Sequence, residues 1–156
     1  MTGTSRSTAR RLATRLTVII AAALALGACD RTTFEKIPAG EINQAHKAFA
    51  EQWGNKIMTA WEKGEYPQVG VEATKEFRAA HNQEERQKAA HKFVKGKVGA
   101  FKSMTFHAAL RSKPPKGVVY RFKGEFEKGE AEVRVVLDLE GKIIGHFIKP
   151  WRDEMN

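Results

Sequence analysis

The chain has 156 residues and a formal net charge of +9, from 27 lysine and arginine residues against 18 acidic residues. This length fits one globular domain rather than several. The chain contains a single cysteine, which excludes an intrachain disulfide and multi-cysteine metal sites.

The first 28 residues carry four arginines and no acidic residue. An apolar run of 11 residues, Leu16 to Leu26, follows the arginines, and the small pair Gly27-Ala28 precedes Cys29. A membrane-spanning helix needs about 20 apolar residues, so this pattern predicts a secretory signal peptide over residues 1–28. The tetrapeptide LGAC also resembles the lipobox of bacterial lipoproteins, and this resemblance implies that Cys29 is lipidated after cleavage.

Export narrows the range of partners. The leader holds four of the nine positive charges, which leaves +5 on residues 29–156. We expect lipid anchoring in the bacterial cell envelope, facing the periplasm, with the choice between inner and outer membrane open. Export argues against nucleic acid as a partner. An envelope protein or anionic lipid headgroups remain as candidate partners, although a lysine-rich surface is also typical of a solvated domain.

Residues 29–40 lack any periodicity and contain Pro38, so we predict a tether there. From Glu41 to Glu62, apolar residues recur every three or four positions, which predicts an amphipathic helix. A shorter helix over about Val69 to Ala80 and a third helix ending near Lys97 follow. Asn82 and Glu85 have the spacing of an N-terminal capping pair for the third helix.

After Gly99 the apolar period changes from helical to alternating, which predicts about four strands. They cover Met104 to Leu110, Val118 to Glu127, Glu130 to Leu139 and Lys142 to Lys149, with a loop at residues 112–117. Central turn residues Lys128-Gly129 and Glu140-Gly141 predict two hairpins. The first turn places Phe122 opposite Val135, and the second places Val135 opposite His146 and Leu137 opposite Ile144. A slip of two residues would keep the same faces and stays open.

The segments WEKGEY, KVGAFKS, VVYRFKGEFEKG and VRVVLDLEGKIIGHFIKPW, at residues 61–66, 97–103, 118–129 and 133–151, resemble domains of the nuclear transport factor 2-like superfamily. More narrowly, they resemble its bacterial envelope domains of unknown function. The resemblance covers about Glu41 to Trp151. The order of the predicted elements, helices first and then an antiparallel meander, itself predicts an α+β domain at residues 41–152, followed by a tail at 153–156. Two or three N-terminal helices would pack on a curved, cone-shaped antiparallel meander. Many functions share this fold, so it implies almost no activity.

Enzymes of this superfamily use an aspartate base inside the cone. The aspartates of this chain are Asp30, Asp138 and Asp153, in the predicted tether, near a turn on the opposite sheet face, and in the tail. None is placed to abstract a proton in a pocket. No histidine pair has zinc spacing. We therefore predict a non-enzymatic protein without a metal or cofactor.

A candidate pocket combines Trp53 on the first helix with Tyr120, Phe122 and His146 on the concave sheet face. A histidine among apolar groups could bind an acidic group or act as a base. The alternative is that the aromatic residues are core and the histidine is packed and hydrogen-bonded.

The outer sheet face provides a candidate dimer or partner surface around Arg121, Arg134, Ile143 and Phe147. Apolar residues rimmed by charge can mark such a surface, and the resemblance implies dimerisation through this face. The alternative is a solvated face covered in part by the tether or the tail.

The leading hypothesis is therefore a membrane-anchored, non-enzymatic envelope lipoprotein that serves as an interaction module. The second hypothesis is a carrier of small apolar ligands that uses the cone cavity. The third is an isomerase- or dehydratase-like enzyme.

Overall fold

The computed structural model describes residues 33–113 and 116–153. Cys29 and the predicted signal peptide lie outside the described residues. Three helices, a short 3₁₀ turn at Ala39–Glu41 and five strands follow one another along the chain. The elements are β1 (Thr33–Lys36), α1 (Gln44–Glu62), α2 (Lys75–His81), α3 (Glu84–Val98), β2 (Phe101–Lys113), β3 (Val118–Phe126), β4 (Gly129–Leu137) and β5 (Ile143–Pro150).

The domain is α+β, as predicted: three helices pack against an antiparallel sheet of order β1-β2-β3-β4-β5. The prediction of about four strands is wrong, because residues 33–36 of the predicted tether form β1. Thr33 pairs with Lys113 and Lys36 with Leu110. Ile37 then turns into the core and donates its backbone N–H to the carbonyl oxygen of Ala109 at 2.9 Å. All four β1 residues are exposed at the sheet edge, so no apolar alternation marks this strand in the sequence.

The apolar stripe predicted on the first helix forms the contact of α1 with the sheet. Trp53, Ile57 and Trp61 of this stripe are buried on α1, whereas Ala45 near its start is exposed. The helix begins three residues later than predicted, because the Asn43 side chain accepts the backbone N–H of His46 and caps the helix there.

The predicted capping role of Asn82 is wrong. Asn82 follows α2, and its side chain bonds both the backbone N–H and the carbonyl oxygen of Val69, at 2.8 and 2.9 Å. Val69 is buried in the loop before α2, so its backbone groups need these partners. The second helix accordingly begins at Lys75 rather than near Val69, and α3 begins at Glu84.

The β3–β4 hairpin has the slipped register. Phe122 lies opposite Val133 rather than Val135, and Tyr120 lies opposite Val135. The turn is formed by residues 127 and 128, and Gly129 opens β4 with a φ of 143°. The slip is an even number of residues, so the apolar face is the predicted one.

In the β4–β5 hairpin, the predicted pairing of Val135 with His146 is confirmed. The pairing of Leu137 with Ile144 is wrong, because an irregularity after Val136 places Leu137 opposite Ile143. Ile143 is therefore fully buried, whereas Ile144 is 36% exposed. The connecting turn is held by Asp138, whose Oδ1 accepts the backbone N–H groups of Glu140 and Lys142.

A second irregularity lies between Phe106 and Ala108 in β2. It changes which side chains face the helices after that point. Ala109, opposite Tyr120, belongs to the hydrophobic core, whereas strict alternation from Met104 would place Ala108 and Leu110 there. A bulge of this kind reverses the alternation by one residue, and nothing in the apolar pattern marks it.

Candidate functional site

The four predicted pocket residues lie in the layer between α1 and the sheet. Tyr120 and Phe122 are 1% and 0% exposed, and Trp53 is 6% exposed. The rings of Trp53 and His146 meet nearly at right angles, with centroids 5.2 Å apart. His146 is also 6.0 Å from the Trp61 ring. The structure therefore brings the predicted residues together.

Two further histidines, not predicted as site residues, join this group. The rings of His81 and Trp53 are 5.8 Å apart, and those of His91 and Trp61 are 5.7 Å apart. We call His81, His91, His146, Trp53 and Trp61 the histidine–aromatic cluster. His81 ends α2 and His91 lies on α3, so only tertiary packing joins them to His146. The one local signal is that His91 lies four residues after the buried Gln87 and so shares its helix face.

The Nε2 atoms of all three histidines are shielded from solvent and have no hydrogen-bond partner among the described residues. Burial, and to a smaller extent the nearby His81, lowers the pKa of His146 from 6.5 to about 3. Burial also lowers the pKa of His81, against an opposing hydrogen bond to the Pro67 backbone. His146 is therefore neutral near pH 7, which removes the positive charge that an acidic ligand would need and makes it a weak base.

The polar groups beside these rings are bonded within the protein. Trp61 Nε1 donates to Gln87 Oε1 at 3.0 Å, and Gln87 Nε2 donates to the carbonyl oxygens of Pro67 and His81 at 3.1 and 3.0 Å. Gln87 is only 3% exposed, and this arrangement is typical of a structural tie in a core.

Two surface concavities of the described chain lie away from the predicted pocket. The larger, of about 560 Å³, lies on α1 and the loop that follows it. The smaller, of about 320 Å³, lies beside β1, β2 and Arg121. Between α1 and the sheet, the space at His146 is instead occupied by the rings of Trp53 and Trp61.

The outer sheet face is organised around a buried ion triad. Glu132 is 1% exposed, and its Oε1 accepts the Nε–H groups of both Arg121 and Arg134 at 2.5 Å. Burial alone would raise the pKa of Glu132, but the hydrogen bonds from Arg134 and Arg121 outweigh it and hold that pKa below 4.5. Glu132 was not predicted as a site residue, since only the pairing of β3 with β4 places it beside Arg121.

The structure places the four predicted outer-face residues differently. Arg121 is 2% exposed and belongs to the triad, so it is not a free surface charge. Ile143 faces the core, because of the irregularity in the β4–β5 hairpin, and cannot contribute to an outer face. Phe147 is 46% exposed and Arg134 is half-buried. Phe147 is thus the predicted residue that offers apolar area to a partner.

The C-terminal segment crosses this face. The ring of Trp151 lies 4.9 Å from that of His107 and 5.7 Å from the Arg121 guanidinium. Arg121 Nη2 donates to the carbonyl oxygen of Arg152 at 2.7 Å. Part of the predicted partner surface is therefore covered by the chain itself.

The two aspartates in the described chain both serve local hydrogen bonds. Asp138 holds the β4–β5 turn, and Asp153 Oδ1 accepts the indole N–H of Trp151 at 3.1 Å. Within residues 33–113 and 116–153, no group of three or more histidine, cysteine or acidic side chains is arranged to hold a metal ion. None of the described helices is long and apolar enough to cross a membrane.

No protein-family model, curated protein or solved structure matches this chain.

The ion triad leads to a stability prediction. Replacing Glu132 by glutamine keeps the side-chain size but leaves the buried Arg121 without its counter-charge, which we expect to lower the free energy of unfolding by about 3 kcal/mol. The matched control is Glu130→Gln, because Glu130 pairs with Lys123 on the surface and such pairs contribute less than about 1 kcal/mol. Urea unfolding at pH 7 measures both. Equal losses for the two variants would contradict the structural role of the triad.

The histidine–aromatic cluster leads to a pH prediction. Because the pKa of His146 is lower in the folded chain than in the unfolded chain, the unfolded state takes up the proton first as the pH falls below about 6.5. We expect the wild-type protein to lose up to about 2 kcal/mol of stability from this residue between pH 7 and pH 5.

His146→Phe keeps an aromatic ring and removes the titration, so its urea-unfolding free energy should fall less steeply over the same range. The double variant His81→Phe/His146→Phe should be flatter still. A slope unchanged by both variants would show that these histidines are accessible to protons in the folded state.

Proposed function

We propose that this protein is a lipid-anchored, non-enzymatic lipoprotein of the bacterial cell envelope. Its folded domain would act on the periplasmic side as an interaction module for a protein or another envelope component. The membrane, inner or outer, is left unassigned in this proposal. The observation that carries the interaction role is the filled layer between α1 and the sheet.

The filled layer between α1 and the sheet favours an interaction module over a carrier. A carrier of apolar ligands needs an enclosed cavity that covers most of the ligand. Here Trp53 and Trp61 pack against His146, at centroid distances of 5.2 and 6.0 Å. A ligand would have to displace large core side chains, which costs several kcal/mol for each aromatic ring removed from its packing. The unpartnered His146 Nε2 is neutral and solvent-shielded, so it offers no compensating charge.

The domain exposes several large aromatic side chains on its surface. Phe34, Phe93 and Phe147 are 43%, 63% and 46% exposed. Large aromatic side chains on the surface are typical anchors of protein and membrane contacts. They support a function performed by the surface of the domain rather than by its interior.

The position of β1 supports anchoring directly beside the fold. Cys29 precedes Thr33, the first residue of β1, by four positions. An extended chain rises at most about 3.6 Å per residue, so a lipidated Cys29 would hold the β1 edge within roughly 15 Å of the anchor. A signal peptide, a lipobox and a folded domain that begins four residues after the cysteine are expected together in a domain that is held at a membrane surface.

The test of the anchor is acylation at Cys29. When the full chain is expressed in a bacterium fed an alkyne-bearing fatty acid, the wild-type protein should incorporate the label and its intact mass should show loss of residues 1–28. Cys29→Ser should lose the label, because serine offers no thiol for lipidation. The control Thr32→Ser changes a residue outside the lipobox and should be labelled like the wild type. An unlabelled wild-type protein would refute the lipoprotein assignment.

A further inference from the structure

We propose that one face of α3 is a contact surface for anionic lipid headgroups. We define the α3 outer face as Arg86, Ala89, Lys92, Phe93 and Lys97, all of which are exposed. This inference rests on the proposed lipid anchor, which would keep a bilayer within reach of the domain. It goes further by assigning the surface that touches the bilayer.

The α3 outer face follows from helical spacing. Residues 86, 89, 93 and 97 are three or four positions apart, and residue 92 lies beside them, so they share one side of the helix. The side of α3 that faces the domain carries Gln87, which is buried, and Val94 and Val98, which pack against the core. The whole packed side of α3 is therefore used by the domain, and the outer face is left to the surroundings.

Three positive charges on this face have no ion-pair partner among the described residues, and Glu85, the acidic residue on the same side, is paired with Lys88 at 3.0 Å. Lys88 is paired with Glu84 and Glu85, and Lys95 with Glu62. In contrast, Arg86, Lys92 and Lys97 have no carboxylate within 4.0 Å in the part of the chain that the structure describes. The Lys97 ammonium lies 5.9 Å from the centre of the Phe93 ring. The face thus combines three free cations with one projecting aromatic ring.

The charge and shape of the α3 outer face indicate which partner would bind there. A second copy docking through the same face would oppose like charges, which is unfavourable. An acidic protein would match the positive charge of this face. In protein interfaces, however, an aromatic anchor is surrounded by other contact residues and fills a well-packed pocket. Phe93 instead stands between Ala89 and Gly96, and nothing lies within 4 Å of where a Gly96 side chain would begin. A lone aromatic ring flanked by lysines suits a fluid membrane interface, where no shaped pocket is needed.

The fold sets the orientation that this contact implies. Glu62 accepts the Lys95 ammonium and the backbone N–H of Phe101, at 2.9 and 3.0 Å, and so ties α3 to the first residue of β2. The anchored end lies at the other end of β2, where Thr33 pairs with Lys113. The 13 residues of β2 span roughly 40 Å at about 3.3 Å per residue. Contact at both points would keep both ends of β2 near the membrane.

The experiment uses the single-cysteine chain. With Cys29 acylated, the Phe93→Cys variant has one free thiol, at position 93, and Phe93 is 63% exposed, so folding should survive the change. The labelled, acylated full chain is reconstituted into vesicles of phosphatidylcholine alone or mixed with phosphatidylglycerol. An environment-sensitive fluorophore at position 93 should shift to shorter wavelength and be quenched by a lipid-phase quencher in the anionic vesicles. The same probe in Val71→Cys should stay in water, because Val71 is 86% exposed in the loop before α2.

Charge variants provide a second test of the lipid contact. Arg86→Gln, Lys92→Gln and Lys97→Gln together should abolish the fluorescence shift of the probe at position 93. The matched triple variant Lys56→Gln, Lys63→Gln and Lys102→Gln removes three exposed lysines elsewhere and should retain it.

A probe at position 93 that stays in water in anionic vesicles, while the protein floats with them, would overturn the lipid contact and leave the lipid anchor intact. Shielding of the probe that requires other membrane proteins would overturn it in favour of an acidic protein. A wild-type protein that does not float with vesicles would refute the anchor, and with it the placement of both ends of β2 near the membrane.

Discussion

The packing of the aromatic side of α1 on the sheet is the constraint on which the rest of the structure depends. Trp53, Ile57 and Trp61 fill the layer between helix and sheet, and burial of such large apolar side chains contributes roughly 1.5–3 kcal/mol each. Because these rings occupy the interior, His146 is packed rather than lining a cavity, and its neutral state follows from the same burial. The interior therefore stabilises the domain, and under the proposed function it is the surface that meets a partner.

The outer sheet face is only partly available to a partner. Its centre is closed by the triad of Arg121, Glu132 and Arg134 and by the C-terminal Trp151, so it is partly an internal structure. A buried ion triad contributes little net stability compared with apolar packing but makes the loss of one member costly. Among the exposed surfaces of the described residues are the aromatic side chains Phe34 and Phe147 and the cationic outer face of α3. Under the proposed function, these are the groups that meet a partner or the membrane.

The sequence predicts those features that repeat at a fixed period. The α1 stripe follows from apolar periodicity, and the α+β class follows from the change of period after Gly99. The pairing of Val135 with His146 follows from the turn residues Glu140-Gly141. Features made by one tertiary contact leave no periodic signal. The Glu132 triad needs the β3–β4 pairing, and the burial of Ile143 needs an irregular hairpin. Strand β1 escapes prediction because an edge strand of four exposed residues has no buried face.

Native mass spectrometry of the full chain, purified from bacterial membranes, most directly tests the claim that the interior is filled. We expect the mass of the processed and acylated chain alone, with no small molecule bound, and likewise no bound mass for His146→Phe. A reproducible additional mass that is retained through purification and lost in His146→Phe would show that a ligand occupies the layer between α1 and the sheet. That result would contradict the interaction-module account and favour a carrier.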